Sequence, residues 1–155
     1  MKTIADLMRE APLFADMRSD RLQLLAGCGQ NVQFAEGDTL FREDTPAEVF
    51  YLLRHGSITL ETYVPGRGPI TIETLGAGEI VGWSWLFPPN RWHFDARALS
   101  LVRAVQFDTT CLREKLEEDS ALGYDLMSRF AQVLQQRLHW TRMRLLDVYG
   151  DVLAG

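Results

Sequence analysis

Residues 50–82 read FYLLRHGSITLETYVPGRGPITIETLGAGEIVG and hold three turn signals between short apolar stretches. Gly56, residues 65–69 (PGRGP) and residues 76–79 (GAGE) each interrupt a run of alternating apolar, β-branched and polar side chains. Glycine and proline spaced by about eight to twelve residues are typical of many short strands joined by tight turns. This stretch therefore predicts a β-sandwich, a barrel or a roll.

Outward from this stretch, the period-two pattern extends over about residues 30–108 and gives way to helical spacing on both sides. Residues 3–28 predict short helices, and residues 109–149 predict a short helix followed by a long one. No low-complexity linker divides the sequence. We therefore expect a single domain over residues 1–155, with strands flanked by helices.

The composition is that of an ordinary globular protein, with 46% hydrophobic and 24% charged residues. The net charge of −5 argues against an extended nucleic-acid-binding surface, although a local basic patch can still lie within an acidic total. No apolar run approaches the roughly 18 residues that a membrane span needs, and the N-terminus shows no secretory signal. We expect a cytoplasmic protein without a membrane segment.

The two cysteines, Cys28 and Cys111, lie far apart in the sequence, and neither has a neighbouring metal-ligand residue. Such isolated thiols predict reduced, structural cysteines in a reducing cytoplasm, with a disulfide as the less favoured alternative.

The long C-terminal helix carries one apolar stripe at helical spacing. Its members are Met127, Phe130, Leu134, Leu138, Leu145 and Val148. The stripe is interrupted once, by the polar residue Thr141. A helix of this length exceeds what so small a domain can cover, so we expect a homodimer through residues 120–149.

Several segments together resemble cyclic nucleotide-binding domains of the catabolite-activator and fumarate-nitrate regulator (Crp/Fnr-like) superfamily, of protein kinase A regulatory subunits and of gated channels. The resemblance rests on residues 12–14, residues 34–51, Gly56, the segment 78–82 (GEIVG) with Leu86, and residues 97–98. It covers nearly the whole sequence. It implies a mainly β fold, a double-stranded β-helix or jelly-roll β-roll with short N-terminal helices and a long C-terminal helix.

The binding chemistry of that family is altered in this sequence. The resemblance implies a glutamate after the second glycine, for the ribose, and an arginine about six residues before the closing alanine, for the cyclic phosphate. Those positions hold Trp83 and Trp92. An indole offers one N–H donor and can replace neither a carboxylate nor a guanidinium. We therefore expect no cyclic AMP or cyclic GMP binding at micromolar concentration.

Two interpretations of these tryptophans stay open beside noncanonical nucleotide binding. In the first, the pocket binds a different small molecule, either flat and apolar or nucleotide-like, that stacks on indole. Its candidate ligand-binding residues are Gly82, Trp83, Ser84, Trp85, Leu86, Arg91, Trp92, Arg97, Thr141 and Arg142. In the second, the tryptophans fill the pocket and leave a structural dimerisation module.

Three of these candidates have plainer alternatives. Arg91 lies one residue out of register with the arginine of the family, and it is either an anion ligand or an exposed loop residue. The resemblance to the transcription-factor branch places Thr141 and Arg142 where a polar pair reaches the base of the nucleotide. They are equally well explained as ordinary positions of a paired helix.

The sequence favours a regulatory protein over an enzyme. His93 and Asp95 share a strand face, but no nucleophile or second base lies nearby in sequence. No catalytic residues, no metal ligands and no firmly assigned cofactor are expected. Regulators of the family carry a helix-turn-helix domain after the long helix, whereas this sequence ends at Gly155. We therefore expect a stand-alone form that binds no DNA in isolation and signals through a protein partner.

Overall fold

The computed structural model describes residues 1–154, and the side chains as far as residue 150. The chain divides into two compact units, Met1–Lys115 and Leu116–Gly155. The expectation of one domain over residues 1–155 stays a prediction, and each unit is described by itself.

The first unit is built mainly from strands. Its helices are Ile4–Arg9 (α1) and Ser19–Ala26 (α2), and the start of Thr109–Glu118 (α3) closes it. Its strands are Gly29–Phe34 (β1), Thr39–Phe41 (β2), Val49–His55 (β3), Ile58–Val64 (β4), Gly68–Leu75 (β5), Ile80–Val81 (β6), Asp95–Ala98 (β7) and Val102–Asp108 (β8). A short 3-10 helix, Ser84–Leu86, lies between β6 and β7.

The strands form two four-stranded antiparallel sheets, in the orders β1-β8-β3-β6 and β2-β7-β4-β5. The buried core combines small and large side chains, since Ala96, Ala98 and Ala104 have no exposed surface and neither have Ile58 and Phe107. Together with the short N-terminal helices and a long C-terminal helix, this arrangement confirms the jelly-roll fold class.

Gly56 shows why the turn signals predicted the strand ends so well. Its φ is +82°, and a Cβ at this position would lie 2.1 Å from the carbonyl oxygen of Leu101. Only glycine fits both the backbone angle and the close approach.

The prediction of two reduced cysteines is wrong, because Cys28 and Cys111 form a disulfide with Cα atoms 5.6 Å apart. The cause is the pairing of β1 with β8, the first and last strands of the unit. Cys28 directly precedes β1, and Cys111 lies in the first turn of α3, directly after β8. The cytoplasmic location expected from the same residues stays a prediction.

The second unit consists of the end of α3 and one long helix, Ser120–Ala154 (α4). The carboxylate of Asp119 accepts a hydrogen bond from the backbone N–H of Leu122 at 3.1 Å and caps its first turn. Leu122, Leu126 and Phe130 are buried, whereas the apolar side chains from Leu138 onward are exposed. None of the helices that the structure describes combines the length and the apolar character that a membrane span needs.

Candidate functional site

The candidate site is the segment from Gly82 to Phe94, which links β6 to β7. Gly82 has a φ of +105°, and a Cβ there would lie 2.8 Å from the Cη2 and Cζ3 atoms of Trp92. Such contacts are too short for any larger residue. The backbone of Gly82 therefore lies directly against the indole of Trp92.

Trp92 heads a stack of aromatic rings, the inner aromatic stack, whose members are Trp92, Phe41, Tyr51 and Phe34. The ring centroids of Trp92 and Phe41 lie 3.7 Å apart at 10°. Phe41 stacks on Tyr51 at 6.5 Å, and Phe34 meets Tyr51 edge-on at 5.8 Å. Phe41 belongs to one sheet and Tyr51 to the other, so this stack lies between the two sheets.

Trp92 is held in this position by backbone as well as by ring contacts. Its N–H donates to the carbonyl of Thr45 at 3.0 Å, and its carbonyl accepts from the N–H of Asp44 at 2.9 Å. Only 5% of the residue is exposed. Burial also raises the pKa of the Tyr51 phenol in the same stack, because the ionised form would lose its hydration.

Trp85 belongs to a second set, the outer aromatic stack, whose members are Trp85, Phe50, Phe107 and Phe14. Trp85 and Phe50 stack at 5.6 Å, Phe50 and Phe107 at 4.6 Å, and Phe107 and Phe14 at 6.3 Å. Phe50 and Tyr51 are neighbours on β3 and therefore point to opposite faces of their sheet. Trp85 and Trp92 consequently lie on opposite sides of that sheet and do not line one pocket.

The loop between Trp85 and Trp92 is held in place by side chains that were not among the candidate residues predicted from the sequence. The amide of Asn90 donates to the carbonyl oxygens of Trp85 at 2.9 Å and Ser84 at 3.3 Å. The guanidinium of Arg113 donates to the carbonyl of Trp85 and lies 5.9 Å above its ring. Ser84 is buried, and Trp83 and Leu86 are half-buried. No local sequence signal marks Arg113, because it comes from α3.

Arg91 does not face the inner stack. Its Nε donates to the carboxylate of Asp44 at 2.8 Å, and a second nitrogen donates to the Asp44 carbonyl. The side chain is 43% exposed. This placement matches the interpretation of Arg91 as an exposed loop residue.

Arg97 also lies away from the space between the sheets. It alternates on β7 with Ala96 and Ala98, which face the interior, and so points outward. Its guanidinium pairs with the carboxylate of Glu61 at 2.5 Å. The hydrogen bond with Glu61 raises the pKa of Arg97 above its ordinary value. Arg97 therefore neutralises the buried carboxylate of Glu61.

The remaining candidates lie in the second unit. Thr141 and Arg142 are exposed on α4, and the Thr141 hydroxyl donates to the carbonyl of Arg137 at 2.9 Å. In the first unit, the Asp95 carboxylate accepts from the N–H of Glu43 at 2.7 Å, while His93 is exposed. Among the described residues, no group of three histidine, cysteine or acidic side chains is placed to hold a metal ion.

Comparison with known proteins gives the same architecture. A family model described as the cyclic nucleotide-binding domain matches residues 31–119. The CRP-like cAMP-activated global transcriptional regulator of Mycobacterium tuberculosis is 24% identical over 148 residues. This match covers 95% of the chain but only 64% of that regulator, so the chain spans less than two thirds of the curated relative.

Two solved structures show the likeness in three dimensions. A protein of Geobacter metallireducens described as cyclic nucleotide-binding is 29% identical with a TM-score of 0.78, covering 90% of this chain and all of that one (100%). The N-terminal domain of a transcriptional regulator from Streptomyces coelicolor is 25% identical with a TM-score of 0.71, covering 88% of this chain and 95% of that one.

Proposed function

The chain belongs to the cyclic nucleotide-binding domain family, and we propose that this member is a non-enzymatic regulatory module whose nucleotide position is filled by its own Trp92. One observation carries the proposal. The indole that replaces the phosphate-binding arginine of the family is buried against Gly82 and stacked at 3.7 Å on Phe41. Trp92 thus takes the place of a ligand within the module.

Cyclic nucleotides meet two obstacles at this site. They would have to displace the ring of Trp92, which contacts both the backbone of Gly82 and the ring of Phe41. They would also find neither of the charged anchors of the family, each of which contributes roughly 1.5–3 kcal/mol. Arg91, the sequence neighbour of Trp92, is already paired with Asp44.

A pocket of altered ligand specificity is the main rival. That interpretation requires Trp83, Trp85 and Trp92 to face one cavity. The division of Trp85 and Trp92 between the outer and inner aromatic stacks favours the filled pocket instead. Half-buried Trp83 is the residue through which a different ligand would still be recognised.

Output through protein contacts completes the proposal. The second half of α4 exposes Leu138, Leu145 and Val148, each at least half accessible in the single chain. With Leu134 and Thr141 they alternate at spacings of four and three residues, the heptad pattern of a coiled coil. We propose that a second copy of this chain covers this stripe and that the dimer contacts a further protein partner.

Calorimetry with cyclic AMP and cyclic GMP tests whether Trp92 fills the nucleotide position. The M. tuberculosis regulator, described as cAMP-activated, is the positive control. We expect no binding heat for this chain at concentrations on the order of tens of micromolar. Saturable heat that disappears in Arg91→Gln would overturn the proposal, because Arg91 would then have moved to the phosphate. A ligand that loses affinity on Trp83→Ala would instead establish altered specificity.

A further inference from the structure

A second recognition feature lies in the first unit, away from the two tryptophan stacks. A groove of about 510 Å³ runs between α1 and the ends of β3 and β8. We call it the cationic groove after its basic lining residues, which are Lys2, Arg54, His55 and Arg103. Glu10 is the acidic residue of this lining. Such a concentration of basic groups is unexpected in a chain of net charge −5.

A β-bulge gathers three of these side chains. Leu53 pairs with Ala104, and the next paired residues are His55 and Arg103, with an irregularity between them. Arg54 and His55 therefore oppose the single residue Arg103 across the strand pair. Bulges re-aim side chains and are common beside functional sites. Here the bulge directs two adjacent residues of one strand into the same groove.

The guanidinium charges of Arg54 and Arg103 have no acidic partner among the described side chains. Lys2 pairs with Glu10, but within residues 1–150 neither the two arginines nor His55 forms an ion pair. Arg54 donates only to the neutral amide oxygen of Asn31, at 3.1 Å. Basic groups held together without a counter-charge repel one another, and an anion bound among them relieves that repulsion.

The groove also offers a small apolar surface. Pro12 and Ala77 are its exposed apolar residues, whereas the leucines of the lining are at most 6% exposed. The volume lies within the range of small-molecule pockets. Guanidinium groups offer planar forks that match phosphate oxygens. We propose that the cationic groove binds an organic phosphate monoester, with its phosphate at Arg103 and Arg54 and its apolar part against Pro12 and Ala77.

This binding does not depend on the state of Trp92. It would allow the module to respond to a ligand although Trp92 fills the nucleotide position. The two proposals can therefore fail separately.

Calorimetric titration with phenyl phosphate, and with inorganic phosphate at matched ionic strength, tests the groove. We expect saturable binding of both, tighter for phenyl phosphate because its ring contacts Pro12 and Ala77. Arg103→Gln should weaken phenyl phosphate binding by at least about tenfold, the factor for losing one charged hydrogen bond. Arg103 is exposed, so equal melting temperatures of the unliganded proteins would show that the variant folds.

The matched control is Arg67→Gln, which makes the same charge change in the exposed turn between β4 and β5. It should leave the affinity unchanged. Absence of saturable binding would overturn the proposal. So would equal weakening by Arg67→Gln and Arg103→Gln, which would indicate unspecific attraction by net charge.

Discussion

Trp92 joins two properties that a ligand would otherwise bring to this fold. Its ring provides a flat apolar surface for Phe41, and its size closes the space above Gly82. An arginine at the same position would need a bound anion to remain buried, because an isolated charge is expensive in the interior. In the proposed function, Trp92 therefore makes permanently a contact that an arginine would make only while an anion is bound.

Trp92→Ala tests this permanent contact. We expect a loss of about 3–5 kcal/mol in the free energy of unfolding, because a buried indole leaves a cavity beside Phe41. Free indole should restore part of the loss by occupying that cavity. Denaturant unfolding with and without indole measures both effects.

Trp140→Ala is the matched control, since Trp140 is 66% exposed on α4. It should change stability little and show no response to indole. Equal losses in the two variants would contradict the filling role of Trp92.

Strand β3 places neighbouring aromatic residues on opposite faces of its sheet. Phe50 and Tyr51 differ by one position and so serve the outer and the inner aromatic stack respectively. A strand at this place was predicted from its apolar run and from Gly56. The distribution of the tryptophans was not predicted, because it depends on which strand face each loop residue reaches.

Other elements show the same division between local and nonlocal information. The outward direction of Arg97 follows from alternation with Ala96 and Ala98 and was available in the sequence. The Cys28–Cys111 bond was not, since the cysteines are 83 positions apart in the sequence and the pairing of β1 with β8 brings them together. Turns can be predicted from neighbouring residues, whereas strand order and loop placement depend on contacts between residues that are distant in the sequence.

Helix α4 carries the prediction on association. Leu138→Glu places a charge in the apolar heptad stripe and should yield monomers in sedimentation velocity, because a buried unpaired carboxylate is costly. Gln136→Glu introduces the same charge on the opposite side of the helix and should leave the mass unchanged. Wild-type chain that sediments as a monomer would remove the dimer proposal.

At the level of the whole first unit, the disulfide links the residue before β1 to the helix after β8 and so encloses both sheets. Closing a loop of this length should stabilise the folded state by about 4 kcal/mol, through the lower entropy of the unfolded chain. We expect a dithiol reductant to lower the denaturant midpoint of the wild type by the corresponding amount.

The Cys28→Ser/Cys111→Ser double variant is the control. It should unfold at the midpoint of the reduced wild type and ignore the reductant. A wild-type midpoint that stays constant upon reduction would show that the bond contributes nothing to stability.

The same bond also makes the chain topologically a ring with two tails. A protein-unfolding motor that pulls on either terminus can extend the chain outside the two cysteines. It must then translocate the disulfide-closed segment with more than one strand at a time. Oxidised chains stretched by their ends fall short of full length by the segment between the two cysteines, which are 83 positions apart, or roughly 270–300 Å. The redox state of two cysteines thus decides whether the polypeptide can be threaded in single file.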